Sequence, residues 1–154
     1  MVSRTAAARP LRPDVGWSPA RWYLLAVAIS HIPLGIVGLV FDRSFPIGAE
    51  AAREAGSHHI FGVLETNGWH SLGALALGVL AASILVAAPE RARRVAFLIG
   101  VINLGLLLSL VAWDPSTFWI ASNGTDQIVH SATALGGIGT GLLTPRSRHT
   151  GGSA

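Results

Sequence analysis

The sequence contains no cysteine, which excludes disulfides, thiolate metal centres and cysteine nucleophiles. It contains no lysine either, so all eleven basic residues are arginine. Charge is scarce, at 12% of residues against about 25% in an ordinary soluble domain. The scarcity is sharpest in four stretches, 22–41, 70–88, 95–113 and 127–143, which hold no Asp, Glu, Lys or Arg. That removes the carboxylate at membrane depth on which proton- and sodium-coupled transporters generally depend. It also leaves no convergent acid, base and nucleophile in the apolar part of the chain. A phosphate-binding P-loop, a dinucleotide fingerprint and a Gly-x-Ser-x-Gly elbow are all missing. These absences predict a protein that is not an enzyme.

What the chain has in quantity is apolar surface, 51% of its residues. A hydrocarbon layer about 30 Å thick takes roughly 20 apolar residues of helix. Trp22 to Phe41 meets that length with an aromatic at each end, suited to the interfaces. His70 to Ala88 follows and stops at Pro89, and Val95 to Trp113 stops at Asp114-Pro115. The fourth stretch, Gln127 to Leu143, is shorter and carries His130, Ser131, Thr133, Thr140 and four glycines. It would insert poorly alone and is expected to pack inside the others. No small-residue cleavage site follows the first stretch, so it reads as an uncleaved helix rather than a signal peptide. The expected fold class is all-α, an integral membrane four-helix bundle made of two pseudo-repeated helical hairpins over residues 21–144. Basic, disordered cytoplasmic tails at 1–20 and 145–154 flank it. The long outer loop 42–69 includes a short surface helix over Ala49 to Ala55.

Arginine placement predicts the orientation. Arg4, Arg9, Arg12 and Arg21, then Arg91, Arg93 and Arg94, then Arg146 and Arg148 all fall on one side. The other side holds only Arg43 and Arg53, among Asp42, Glu50, Glu54, Glu65, Asp114 and Asp126. Basic residues are retained in the cytoplasm, so both termini are expected there, in the plasma membrane of a bacterium. The arginine clusters are expected to meet anionic lipid headgroups. Nucleic acid is not an expected partner, because only tails and a short loop are basic.

The two halves share a pattern. Phe41-Asp42 ends the first helix and Trp113-Asp114 the third, and eleven residues before each Asp stand His31 and Asn103. Asn67-Gly68 introduces the second helix and Asn123-Gly124 the fourth, with the residue three after each Asn placed to cap it. Two parallel repeats would be related by an axis along the membrane normal.

Few residues carry chemistry. His31, mid-membrane, is expected to be buried with Asn103 as its partner, or with a carbonyl that Pro33 frees. A metal site is conceivable from His70, His130 and one of His58 or His59, with Asp126 one helical turn before His130. Haem would need His31 and His130, but their depths differ by roughly 9 Å at about 1.5 Å per residue. No cofactor is therefore expected, with haem or a divalent metal as the alternatives. His58-His59 and the apolar residues after them read as a segment dipping into the headgroups, or as a docking face. Small-residue lines on three helices predict close packing: Ala74, Gly78 and Ala82; Gly105 and Ser109; Thr133, Gly137 and Gly141. These lines and the outer loop point to an accessory or scaffold subunit that packs against another membrane protein or itself. A His-ligated metal or haem protein is the alternative.

The Asn-x-x-His motif of Asn67 and His70, and the Asn-Gly-x-Asp-x-x-x-His motif of Asn123 to His130, open the second and fourth helices. With them, the chain from about Arg21 to Leu143 resembles a domain-of-unknown-function family of small four-helix membrane proteins, common in actinobacteria. The first motif of that family usually continues as Asn-x-x-His-Asn-x-x-His. Here Ser71 and Ala74 stand where the next Asn and second His would be, so a site formed by those histidines would be incomplete. The resemblance implies a fold and an orientation and brings no activity with it.

Overall fold

The computed structural model describes residues 16–54, 57–112, 119–120 and 122–145. The chain is mostly helical, and three of its four long helices start two or three residues before their apolar runs, each behind a polar residue that caps it. Helix α1, Pro19–Phe41, is capped by the Ser18 side chain, which accepts from the Arg21 N–H, and Pro19 occupies the first turn. Helix α2 is the short Ala49–Glu54. Strands β1, His59–Ile60, and β2, Leu64–Glu65, form a minimal antiparallel hairpin, paired His59 to Glu65 and Ile60 to Leu64. Helix α3, Gly68–Ala87, is capped by Asn67, whose side chain accepts from the His70 N–H at 2.9 Å. A 3-10 turn, Pro89–Arg91, leads directly into helix α4, Ala92–Ala112. Helix α5, Gly124–Leu143, opens on a capping box between Asn123 and Asp126.

Three segments are long and apolar enough to cross a membrane: Pro19–Phe41, Gly68–Ala87 and Pro89–Leu110. Helix α5 has the length but not the apolarity. Large apolar side chains stand exposed on the outer faces of the long helices, among them Ile29, Ile36, Val79, Val86, Leu108 and Leu135. A water-facing surface would bury such groups, whereas hydrocarbon solvates them.

The long helices lie in two tight pairs, α1 on α3 and α4 on α5. Small residues set both. A Cβ built on Gly35 would sit 2.6 Å from the Leu75 nitrogen, and one on Gly78 would sit 2.8 Å from the Ile32 nitrogen. On the other pair, Gly100 faces Ile138 and Ala134 while Gly137 faces Ala96 and Gly100. Helix α1 joins the pairs through a core of Leu24, Val27, Ala28, Ala81, Ala96 and Ile99. At that end of the molecule the Ala20 N–H donates to Thr144 Oγ1 at 3.1 Å, so the start of α1 meets the end of α5.

Several expectations shift. The boundary at residue 20 moves, since Ser18 to Ala20 already belong to the cap and first turn of α1. Asn67 caps α3 itself, rather than His70 three residues later, because an Asn in extended backbone reaches the free N–H groups directly, whereas at α5 Asn123 is the cap and Asp126 completes the capping box with it. Of the small-residue lines, Ala74, Gly78 and Ala82 pack within the α1–α3 pair or against the core, and Thr133, Gly137 and Gly141 within the α4–α5 side. Gly105 faces open space, and Ser109 only bonds back to the Gly105 carbonyl. The close-contact glycine of α4 is Gly100, on another face of that helix. The long loop is not purely irregular or helical, since it holds the β hairpin, which turns through Phe61 and Gly62 at positive φ. Ala55, Trp113, Asp114 and the tails 1–15 and 146–154 lie outside the described residues.

Candidate functional site

Between the two helix pairs, towards the end that carries the hairpin, lies a cavity of about 160 Å³. Helical periodicity builds its walls: His70, Gly73, Ala74 and Leu77 share one face of α3, Ile102, Asn103 and Leu106 one face of α4, and Asp126, Val129 and His130 one face of α5. Helix α1 adds His31 and Leu34, while Leu64, Trp69 and Ile120 close the loop end.

Side-chain bonds hold that closure in place. Asp126 Oδ2 accepts from the backbone N–H groups of Asn123 at 2.9 Å and Glu65 at 3.1 Å, tying β2 to the start of α5. Asn123 Nδ2 donates to the Val63 carbonyl, and Asn67 Nδ2 donates to the Trp119 carbonyl at 2.7 Å. Trp69 packs edge-on against Phe45 and tilted against Trp119, and its indole N–H donates to the Pro46 carbonyl. Asp126 lies just before the apolar stretch 127–143.

Three imidazoles reach the cavity wall, and each has its protonation pattern set by a neighbour. Asn103 Nδ2 donates to the Ile99 carbonyl, which turns Oδ1 towards His130, so His130 Nδ1 carries the proton in their 3.0 Å bond. The other ring nitrogen, Nε2, is then a bare lone pair, and it is buried without a hydrogen-bond partner. His70 Nδ1 donates to the Glu65 carbonyl at 3.0 Å. Ser30 spends its hydroxyl proton on the Ala26 carbonyl at 2.7 Å, so its oxygen accepts from His31 Nδ1 at 2.9 Å. In all three, Nε2 is left as the acceptor. The His70 and His130 rings stack with centroids 5.7 Å apart.

Histidine-selective 15N NMR of the protein in micelles should find at least three of the six histidines locked as the Nδ1–H tautomer. Asn103→Ala should release one of them and cost about 1–3 kcal/mol in unfolding free energy, the typical cost of leaving a buried polar group unpaired. A uniform tautomer mixture across all six would contradict the geometry.

The sequence pointed to most of these residues and mispaired them. His31 and Asn103 are both buried, at 9% and 3% exposure, but they do not bond to each other. Asn103 serves His130, because α4 packs on α5 and only lightly on α1. His58 and His59 do not join His70 and His130. His58 sits 4.0 Å from the buried Asp42 carboxylate, and His59 is exposed on β1. The loop carries both away from the cavity, and His31 takes the third place instead. Asp126 bonds to backbone amides, not to His130. His31 and His130 line one cavity despite their different positions along their helices, but its volume is too small for a tetrapyrrole. Among the described residues no group of three or more His, Asp or Glu converges as a metal site. Gly73 and Trp69 were missed as lining residues, although a spacing of three from His70 marks Gly73 as its neighbour on one helix face.

A family model described as "Domain of unknown function (DUF4383)" matches residues 21–143. The match covers all four long helices except the first residues of α1. No curated protein and no solved structure matches the chain.

Proposed function

The chain belongs to the DUF4383 family of domains of unknown function, and from that premise we propose that it is a non-catalytic, four-span protein of the bacterial plasma membrane that holds a small ligand between its two helix pairs. The observation that carries this reading is His130 Nε2, a buried lone pair without a partner at a cavity that two further imidazoles line. A buried acceptor left unpaired costs about 1–3 kcal/mol, and a bound donor would recover it.

The bond between Ala20 and Thr144 supports four spans. If α1, α3 and α4 cross the membrane, the end of α5 can return to the start of α1 only by a fourth crossing. Helix α5 tolerates this because its hydroxyls bond within the helix: Ser131 to the Gln127 carbonyl, Thr133 to Val129 and Thr140 to Gly136. The pairing of α1 with α3 and of α4 with α5, each pair's second helix capped by an Asn, supports two repeats of one hairpin. The arginine clusters favour a cytoplasmic position for both termini, where they would meet anionic lipid.

The absence of native cysteine makes the topology directly measurable. Ser57→Cys should react with a membrane-impermeant maleimide in intact cells, and Ser147→Cys only after lysis. The reverse pattern would invert the orientation, and labelling of both in intact cells would remove the fourth span. Native mass spectrometry of protein released from its own membrane tests the ligand. Wild type should carry an added small-molecule mass that Gly73→Leu, which fills the cavity, lacks.

A second reading, an accessory subunit packing against a larger complex or itself, has one observation in its favour. The hairpin tip presents Phe61 and Val63 outward, 74% and 53% exposed. Phe61→Ser should abolish any crosslinked species formed in native membranes under that reading.

A further inference from the structure

We propose that the cavity binds a hydroxylated six-membered aromatic ring, the headgroup of a membrane hydroquinone or a free phenol, which donates its hydroxyl protons to histidine Nε2 atoms. The proposal rests on the reading of the cavity as a ligand site and adds the chemistry of its occupant.

Size comes first. A void of about 160 Å³ matches engineered protein cavities of about 150 Å³ that take up benzene. It therefore holds one ring with small substituents, flanked by Leu34, Leu77, Ile102, Leu106 and Val129. Polarity comes second. The imidazole protons are already spent on Asn103, Glu65 and Ser30, and one Asn103 amide proton is spent on Ile99 while its oxygen accepts from His130. What remains on the three imidazoles are Nε2 lone pairs, so an occupant that meets them must donate hydrogen bonds rather than accept them. An oxidised quinone offers only acceptors and would place its oxygens against those lone pairs.

Charge narrows the class further. No Lys or Arg lines the cavity, and Asp126 does, which disfavours a carboxylate or phosphate ligand. A metal ion needs its ligand nitrogens to meet at one point, and no such convergence exists among the described residues. Donors carried at separate points of an apolar body fit spaced acceptors better. An ammonium would also donate, but it would shed its water into mostly aliphatic walls, while Asp126 Oδ2 is already held by two amides. Access is lateral. Gly73 on α3 and Ile102 on α4 line the cavity and are themselves exposed, on faces that carry exposed Leu80 and Leu98. A ring carrying an isoprenoid tail could enter there with its tail left in hydrocarbon.

The test titrates micellar protein with hydroquinone, toluene, benzoquinone and benzylamine, following the histidine Nε2 nitrogens by 15N NMR. Lacking lysine and cysteine, the chain offers benzoquinone few side chains for covalent addition. Hydroquinone should bind at least about tenfold tighter than toluene or benzoquinone, a factor worth about 1.4 kcal/mol, and should shift the His130 Nε2 resonance. Gly73→Leu should abolish binding of every ring with no loss of thermal stability, because nothing lies within 4 Å of the Cβ it would add. His130→Leu should erase the preference for hydroquinone over toluene while toluene still binds, an outcome that a merely structural role for His130 would not give. A decyl-substituted hydroquinone then separates the sources: tighter binding than the bare ring assigns a membrane lipid, equal binding a free phenol. Toluene or benzoquinone binding as tightly as hydroquinone would overturn the proposal, as would benzylamine binding tightest. If no ring binds, the proposal fails. The ligand-site reading then stands or falls separately on the mass spectrum of the native protein.

Discussion

Gly137→Val is expected to drive α5 off α4 and to cost about 3 kcal/mol or more, enough to leave little folded protein. A Cβ at this position would already lie 2.6 Å from the Ala96 carbonyl oxygen and 2.7 Å from the Gly100 Cα and nitrogen. All three are backbone atoms, so no rotamer change relieves the clash and the helices must separate. Overpacking a core commonly costs about 1–3 kcal/mol when side chains can adjust, and here they cannot. Separation would also expose Thr133 and Gly141 to lipid, removing the packing that replaces a hydrophobic drive inside a bilayer. Gly139→Ala is the control two residues away. Nothing lies within 4 Å of its added methyl, so it should be neutral or stabilising by up to about 1 kcal/mol through helix propensity. Unfolding of both variants in mixed micelles with increasing SDS is the measurement. Equal midpoints would mean that α4 and α5 do not pack as described.

Asp126→Ala carries the second large effect, expected at about 2–4 kcal/mol. One carboxylate oxygen serves two jobs here, closing the capping box with the Asn123 N–H and holding the Glu65 N–H of β2. Losing a cap alone costs about 0.5–2 kcal/mol. Stranding the Glu65 amide in a buried position adds a desolvation penalty of about 1–3 kcal/mol. The damage should be local as well as global. Hydrogen exchange should quicken at Glu65 and along the first turn of α5, while α1 and the lower part of α3 keep their protection. Asp126→Asn retains an acceptor oxygen and should lose less than the alanine variant. If alanine and asparagine are equally harmless, Asp126 does not tie the loop to the helix.

Much of this architecture is legible in the sequence, because a bilayer imposes a strong filter on composition. Runs such as 22–41 and 70–88 announce themselves by the absence of charge. The helix starts are less legible, because Ser18, Asn67 and Asn123 are polar and fall outside any apolar window. Depth along a helix could be counted, but the face it presents could not. Counting back from Asp42 and Asp114 put His31 and Asn103 in register and suggested a bond. The two residues sit on α1 and α4, which touch only lightly, and Asn103 faces His130 across the tight α4–α5 contact. Gly105 and Ser109 failed for the same reason: their spacing is right for packing but their face points outward, and Gly100, five residues earlier, makes the contact. The loop histidines were beyond reach altogether. Whether His58 or His59 lies over the cavity depends on the path of the β hairpin, which a pairing of two residues per strand scarcely marks in the sequence.

The capped, hydroxyl-bearing α5 also leaves the ribosome after α1, α3 and α4. Among the described residues it is the one long helix without enough apolar character to claim the bilayer alone, yet Gly100 and Ala96 of α4 are made before it and form the surface that it packs on. Its hydroxyls arrive bonded to its own carbonyls, and its glycines meet a surface shaped for them. In the four-span reading, the order of synthesis supplies what hydropathy does not: the solvent in which α5 would insert is the rest of its own chain.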